Sequence, residues 1–194
     1  MSFLEIPDTF PHRGNGVTKF MGRGAYRLFG WKMSGHVPDI RHALVLGAPH
    51  TSTWDLPVAL ATVAATQFSF NWLGKHTIFE GPLGPMWQWL GGVPVNRQGN
   101  LGVVSQIVNM FEERDFLWLL ISPEGTRKKT ERWRTGFYYI AQEANVPIIP
   151  VALDFGTKCV HLLEPFYPTG DLEADMTFLQ GLYQPDMARN PERF

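Results

Sequence analysis

Ala43-Leu44-Val45-Leu46-Gly47-Ala48-Pro49-His50-Thr51-Ser52-Thr53-Trp54-Asp55 is the stretch on which the fold turns. Residues 43–47 make an apolar run of strand length, closed by Ala48-Pro49. Ser52 or Thr53 is a natural N-cap for a helix over 55–67, and Pro57 is tolerated in its first turn. A strand that hands over directly to a helix is the unit of an α/β domain. In open α/β sheets ligands gather at the carboxyl ends of strands, so His50 is presented toward a cleft and not the core. Five residues of regular helix would turn His50 and Asp55 about 140° apart. The two side chains meet only if His50 stays in the loop and Asp55 opens the helix. Held by a carboxylate, an imidazole keeps one tautomer, and the imidazolium formed on proton abstraction is stabilised. The same four residues, Ser52 to Asp55, also read as a capping box with Asp as the reciprocal partner.

Working outward, short apolar runs keep alternating with amphipathic stretches. Strands are predicted over 70–73, 93–96, 116–121, 148–153 and 160–163. Helices are predicted over 82–90, 101–113 and 136–144, with a last acidic helix from Leu172. This alternation predicts one α/β domain, a mixed and largely parallel sheet flanked by helices. The 194 residues suit a single domain, since domains run to about 100–200. Residues 1–40 read as an N-terminal segment, 41–184 as the domain proper, and 185–194, with Pro185, Asn190 and Pro191, as a loosely held tail.

Composition narrows the function classes. Seventeen Lys and Arg balance 18 Asp and Glu for a net charge of -1, so no global basic field points to nucleic acid. The single cysteine, Cys159, cannot form an internal disulfide, and its apolar neighbourhood reads as a buried, inert thiol. The first eleven residues carry Glu5 and Asp8 and lack the basic start of a secretory signal. No run approaches the roughly 18 apolar residues of a membrane span. The expected location is therefore cytoplasmic. From Val17, apolar Phe20, Met21, Leu28 and Trp31 recur at helical spacing opposite Lys19, Arg23 and Arg27. Residues 17–31 thus read either as an interfacial helix on the cytoplasmic face of a membrane or as a surface helix covering the core.

A second informative stretch, Ser122-Pro123-Glu124-Gly125-Thr126-Arg127-Lys128-Lys129, follows the strand over 116–121, with Arg132 and Arg134 close behind. Arg127 offers a planar fork suited to phosphate, and Gly125 lets backbone N–H groups approach an anion. Thr135-Gly136 opens a helix whose amides add to such a site. Among so many cations Glu124 is expected to be ionised, bracing an arginine or accepting a bond from a substrate hydroxyl. The plain alternative is a solvated basic loop. Two weaker stretches are Leu90-Gly91-Gly92-Val93-Pro94-Val95-Asn96-Arg97, which sets Arg97 at another strand end, and Val146-Pro147-Ile148-Ile149-Pro150-Val151. The latter reads as core or edge strand, or as a wall for an acyl chain. Lys75 and His76 follow the strand over 70–73 and are equally open. A zinc site is disfavoured, since His42, His76 and His161 are scattered.

Taken in this order, the four stretches resemble the glycerolipid acyltransferase family that includes bacterial lysophosphatidic acid acyltransferases. The His-x4-Asp block is present as His50 to Asp55, and Pro-Glu-Gly-Thr-Arg as Pro123 to Arg127. Residues 92–97 and 146–150 look like the remaining two blocks. The resemblance implies His50 as general base, oriented by Asp55. It implies Arg97, Glu124, Gly125, Thr126 and Arg127 at the acceptor phosphate, with Lys75 and Pro150 as further substrate-binding candidates. It implies acyl-CoA or acyl carrier protein as donor, a lysophospholipid such as lysophosphatidate as acceptor, and no resident cofactor or metal. A thioesterase using the same pair on water, and a non-catalytic lipid- or anion-binding module, are the alternatives. Where many relatives carry Ser after Thr-Arg, this chain has Lys128-Lys129.

Overall fold

Strand β2 (His42–Ala48) lies at the centre of the sheet. The computed structural model describes residues 3–95, 102–130 and 132–194. Successive β2 side chains enter different cores: Leu44 and Leu46 pack with Ile107, Phe111, Leu117 and Leu119, whereas Ala43 and Val45 pack with Phe10, Val37 and Trp118. A strand buried on both faces is apolar throughout, which is why 43–48 shows no alternation.

The other strands are β1 (Lys32–Ser34), β3 (Asn71–Lys75), β4 (Gly92–Val95), β5 (Leu117–Ile121), β6 (Ile148–Asp154) and β7 (Cys159–Leu162). Seven strands form one sheet in the order β1-β7-β6-β2-β5-β3-β4, and only the β6–β7 hairpin is antiparallel. Helices α4 (Val103–Glu113), α5 (Gly136–Glu143) and α6 (Leu172–Gly181) cover one face. On the other, α1 (Gly16–Phe29) packs on α2 (Asp55–Thr66); a short α3 (Gly84–Trp89) precedes β4. The expected α/β architecture is present, with most element ends displaced by one or two residues.

Several readings need correction. Lys32–Ser34, predicted as part of a separate N-terminal segment, is an edge strand parallel to β7. Trp31 does not join the exposed stripe of α1: it lies past the helix end and is buried with Tyr26, Met33 and Val160. Arg23 also turns inward, donating from Nε to the Ala65 carbonyl at 3.3 Å and covering the Phe3 ring. The backbones of α1 and α2 touch at Gly22, where a Cβ would stand 2.3 Å from the Ala65 nitrogen. Its glycine is a contact requirement and not merely a weak helix former. Val17, Phe20, Met21, Leu28 and Phe29 remain exposed. The C-terminal residues, read as a loose tail, are tied down: Phe155 N–H donates to the Met187 carbonyl at 2.8 Å, and Ala188 is buried. Finally, neither Ser52 nor Thr53 caps α2. Trp54 occupies that position without a side-chain cap: Ser52 Oγ accepts the Trp54 N–H inside the loop, while the reciprocal half of the box forms, the Asp55 carboxylate taking the Ser52 N–H.

Register explains what the sheet brings together. Leu46 of β2 is level with Ile121 of β5, and Trp72 of β3 with Leu120. The chain leaves these parallel strands on one rim, so segments 49–54 and 122–127 emerge side by side and Lys75 ends its strand on the same edge. At this rim the connections part: β3 lies on the β5 side of β2, whereas β6 lies on the other. Such switch points open the crevice in which α/β proteins bind ligands.

Candidate active site

His50 stands four residues beyond Leu46, in the loop between β2 and α2. Its Nδ1 lies 2.9 Å from Asp55 Oδ2; the imidazole is 31% exposed and the carboxylate 3%. The geometry required of a loop histidine and a first-turn aspartate is met. With Nδ1–H donated to the buried carboxylate, Nε2 carries the lone pair. Asp55 Oδ2 also accepts the Ser52 N–H at 3.1 Å, and Ser52 Oγ accepts the Trp54 N–H at 3.1 Å. The loop thus satisfies its own amides while presenting the ring. The first turn of α2 adds favourable dipole to the carboxylate. Asp55 Oδ1 is buried without a hydrogen-bond partner.

Glu124 turns to the loop that carries His50. Its Oε1 accepts the His50 backbone N–H at 2.9 Å, and Oε2 is buried without a hydrogen-bond partner. It braces the His50 loop and not, among the described residues, an arginine. Burial pushes its carboxyl above the usual range, and the His50 amide opposes that only in part. The cations after Gly125 are exposed, whereas this carboxyl turns to the His50 amide.

The remaining motif residues form a tight turn. Gly125 has φ +62°, a left-handed conformation natural to glycine, and its N–H donates to the Ser122 carbonyl at 3.1 Å. Thr126 Oγ1 accepts the Lys128 N–H at 3.2 Å, so Thr126 shapes the turn. Arg127, Lys128, Lys129, Arg132 and Arg134 are exposed. Arg134 covers Gly125, with Nε 2.7 Å from where a Cβ would be. Its contact with this turn was not legible in the sequence, where it was only one more cation.

Of the other predicted residues, Lys75 ends β3 on this rim, and Arg97 lies outside the described residues. Pro150 is buried inside β6, level with Leu46. That is the core-strand reading of its stretch, and the acyl-wall reading draws no support from it. Two residues the sequence did not mark also hold the site. Buried Tyr183 donates to the Leu46 carbonyl at 2.9 Å, and Asn190 bonds to Thr51. Among the described residues no cluster of three His, Cys, Asp or Glu is arranged to hold a metal. Two surface cavities, one bordered by Asp171 and Phe178 and one by Asp39 and Arg41, include no residue of this site.

The family model described as Acyltransferase matches residues 32–154, the span from β1 to the end of β6. The chain is 27% identical over 146 residues to the 1-acyl-sn-glycerol-3-phosphate acyltransferase of Escherichia coli, and 29% over 146 residues to that of Haemophilus influenzae. Each alignment covers 70% of this chain and 58% of the relative, so the chain spans little more than half the length of those curated proteins. A human 1-acyl-sn-glycerol-3-phosphate acyltransferase beta is 30% identical over 102 residues, half of this chain and 36% of that protein. The fold is similar to the crystal structure of the 1-acyl-sn-glycerophosphate acyltransferase of Thermotoga maritima. That match has a TM-score of 0.62 and 19% identity, over 86% of this chain and 75% of that one.

Burial raises the pKa of Glu124 in the folded state. The carboxyl's contribution to stability is therefore fully present below its unfolded pKa and lost as pH rises through the folded value. Glu124→Gln keeps an oxygen for the His50 N–H and removes the charge. The variant is expected to melt at or above the wild-type temperature at pH 7, with the advantage vanishing toward pH 4. Melting curves across that range check it, and a variant less stable than wild type only at the higher pH would contradict it.

Proposed function

Because the chain belongs to the acyltransferase family, we propose that it transfers a fatty acyl group from a thioester to a hydroxyl of a phosphate-bearing lysolipid. The observation that carries this reading is the 2.9 Å contact between His50 Nδ1 and buried Asp55 Oδ2, with the imidazole itself 31% exposed. Nε2 takes the proton of the acceptor hydroxyl as its oxygen attacks the thioester carbonyl; the tetrahedral intermediate collapses with loss of the thiolate, which recovers the proton from the imidazolium. General-base assistance is worth about 10² to 10⁴ in rate, and Asp55 stabilises the imidazolium between the two transfers. The acyl group passes directly, with no acyl-enzyme. Cys159, the chain's one thiol, is buried, and burial pushes its pKa up, which suits an inert residue.

The donor is acyl-CoA or acyl carrier protein, and lysophosphatidate is the first acceptor to test, the substrate class named for the relatives above. Arg127 is assigned to the acceptor phosphate, with Lys128 and Lys129 beside it as further positive charge. Since the acceptor is a lipid, the enzyme works at a bilayer surface on the cytoplasmic side. No helix among the described residues is long and apolar enough to cross a membrane. The exposed Val17, Phe20, Met21, Leu28 and Phe29 of α1, with Arg27 also exposed, support a peripheral hold on anionic lipid.

Two outcomes test this reading. Arg127→Ala is expected to raise the acceptor KM about tenfold or more while changing the donor KM little, in line with the roughly 1.5–3 kcal/mol of a charged hydrogen bond. Equal effects on both would move the phosphate site elsewhere, and thioester cleavage as fast without acceptor as with it would turn the reading to hydrolysis. Replacing Phe20 and Met21 together by Ser is expected to release the protein from anionic vesicles in a flotation assay. Unchanged binding would assign α1 to covering the core alone.

A further inference from the structure

The loop that carries His50 is held from two sides, and only one of them belongs to the matched region. On the inner side Glu124 accepts the His50 N–H. On the outer side lies Thr51, which is 2% exposed and stands directly after the base. Its buried peptide group needs partners. The Thr51 carbonyl accepts the Asn190 side-chain amide at 3.0 Å and the Arg193 guanidinium at 3.5 Å. Thr51 Oγ1 accepts the Asn190 backbone N–H at 3.3 Å. Asn190 therefore grips Thr51 with both its backbone and its side chain, across 139 residues of sequence.

The segment bearing Asn190 is itself seated firmly. Met187 packs on the cluster of Ala48, Ala152 and Tyr183, at the end of the strand that delivers His50. A Cβ on Gly156 would lie 2.8 Å from the Asp186 carbonyl oxygen, so this segment runs directly against the β6–β7 turn. Ala188 is buried, and Met187 accepts from Phe155.

We propose that segment 187–193 is a strap that sets the position of His50, with Asn190 as its positioning residue. The inference rests on His50 being the general base. Asn190 does not reach the substrate; it holds the peptide between His50 and Ser52, so that imidazole, Asp55 and acceptor hydroxyl share one geometry. A misplacement of about 1 Å remote from the chemistry can cost on the order of 10²-fold in rate. The effect belongs in kcat, since Asn190 acts on Thr51 and not on the cation run.

Asn190→Asp keeps the shape of the side chain and turns the donor facing the Thr51 carbonyl into an acceptor. In the full chain it is expected to lower kcat about tenfold or more, to leave both KM values within about twofold, and to shift or broaden the His50 Nδ1–H proton resonance. That resonance is assigned by its loss in His50→Gln. Arg189→Ala, on the exposed neighbour, is expected to leave kcat and the resonance unchanged. An Asn190→Asp protein with wild-type kcat and an unmoved resonance would overturn the strap. Should Asn190→Asp fail to fold, Asn190→Ser, which removes the amide without adding charge, carries the same comparison. A wild-type chain that transfers no acyl group would remove the functional reading, while the resonance comparison still decides whether Asn190 positions His50.

Discussion

A carboxylate buried at the first turn of a helix must find donors, and Asp55 finds the imidazole of His50 and the amide of Ser52 on a single oxygen. The rest of the site is arranged around this requirement. A buried carboxylate with few donors would be costly, so the His50 ring Nδ1–H is drawn to it and the imidazole is held in one tautomer. The same bond fixes the loop from 50 to 55 as a closed hook, with its free nitrogen outward. Glu124 and Asn190 then hold the hook by its backbone at consecutive residues. Polar groups that would be liabilities in a core become a rigid mount for the imidazole.

The sheet supplies the distance over which this works. Parallel strands β2 and β5 run in register, and the residues just past their ends are thereby placed within hydrogen-bond reach although 74 positions separate them. The apolar strands that make this rim are the ones most deeply buried, with Leu44, Leu46, Leu117 and Leu119 fully enclosed. Moving the register by one residue would turn these side chains to the opposite face, so the position of Glu124 against His50 is protected by the whole core. The cations after Gly125 carry no such burden and stay in solvent, available to an anionic partner.

What was legible in the sequence was local. The apolar run at 43–47, the loop histidine and the first-turn aspartate are neighbours in the chain, and their spacing states the geometry they adopt. The Pro123 to Arg127 turn is equally local. Strand β1 was missed because Lys-Met-Ser has no strand signature of its own; it is extended by pairing with β7. The cap expected of Ser52 does not form because its Oγ turns to the Trp54 N–H within the loop, whereas the bond from the Ser52 N–H to Asp55 is the half of the box that the spacing does state. The roles of Glu124 and Asn190 depend on contacts across 74 and 139 residues, respectively, and no short motif records them. In Trp31 the helical period was extended two residues past the helix end, where the chain turns into the core.

The central claim, that His50 is the base for direct acyl transfer, is tested most directly by a single-turnover experiment with radiolabelled acyl thioester and 1-acylglycerol 3-phosphate. The account predicts labelled diacyl product from the wild-type chain with no label retained on protein, and a loss of at least about 10²-fold in His50→Ala with the melting temperature preserved. Transfer by His50→Ala at the wild-type rate, or label accumulating on the protein before product appears, would contradict it.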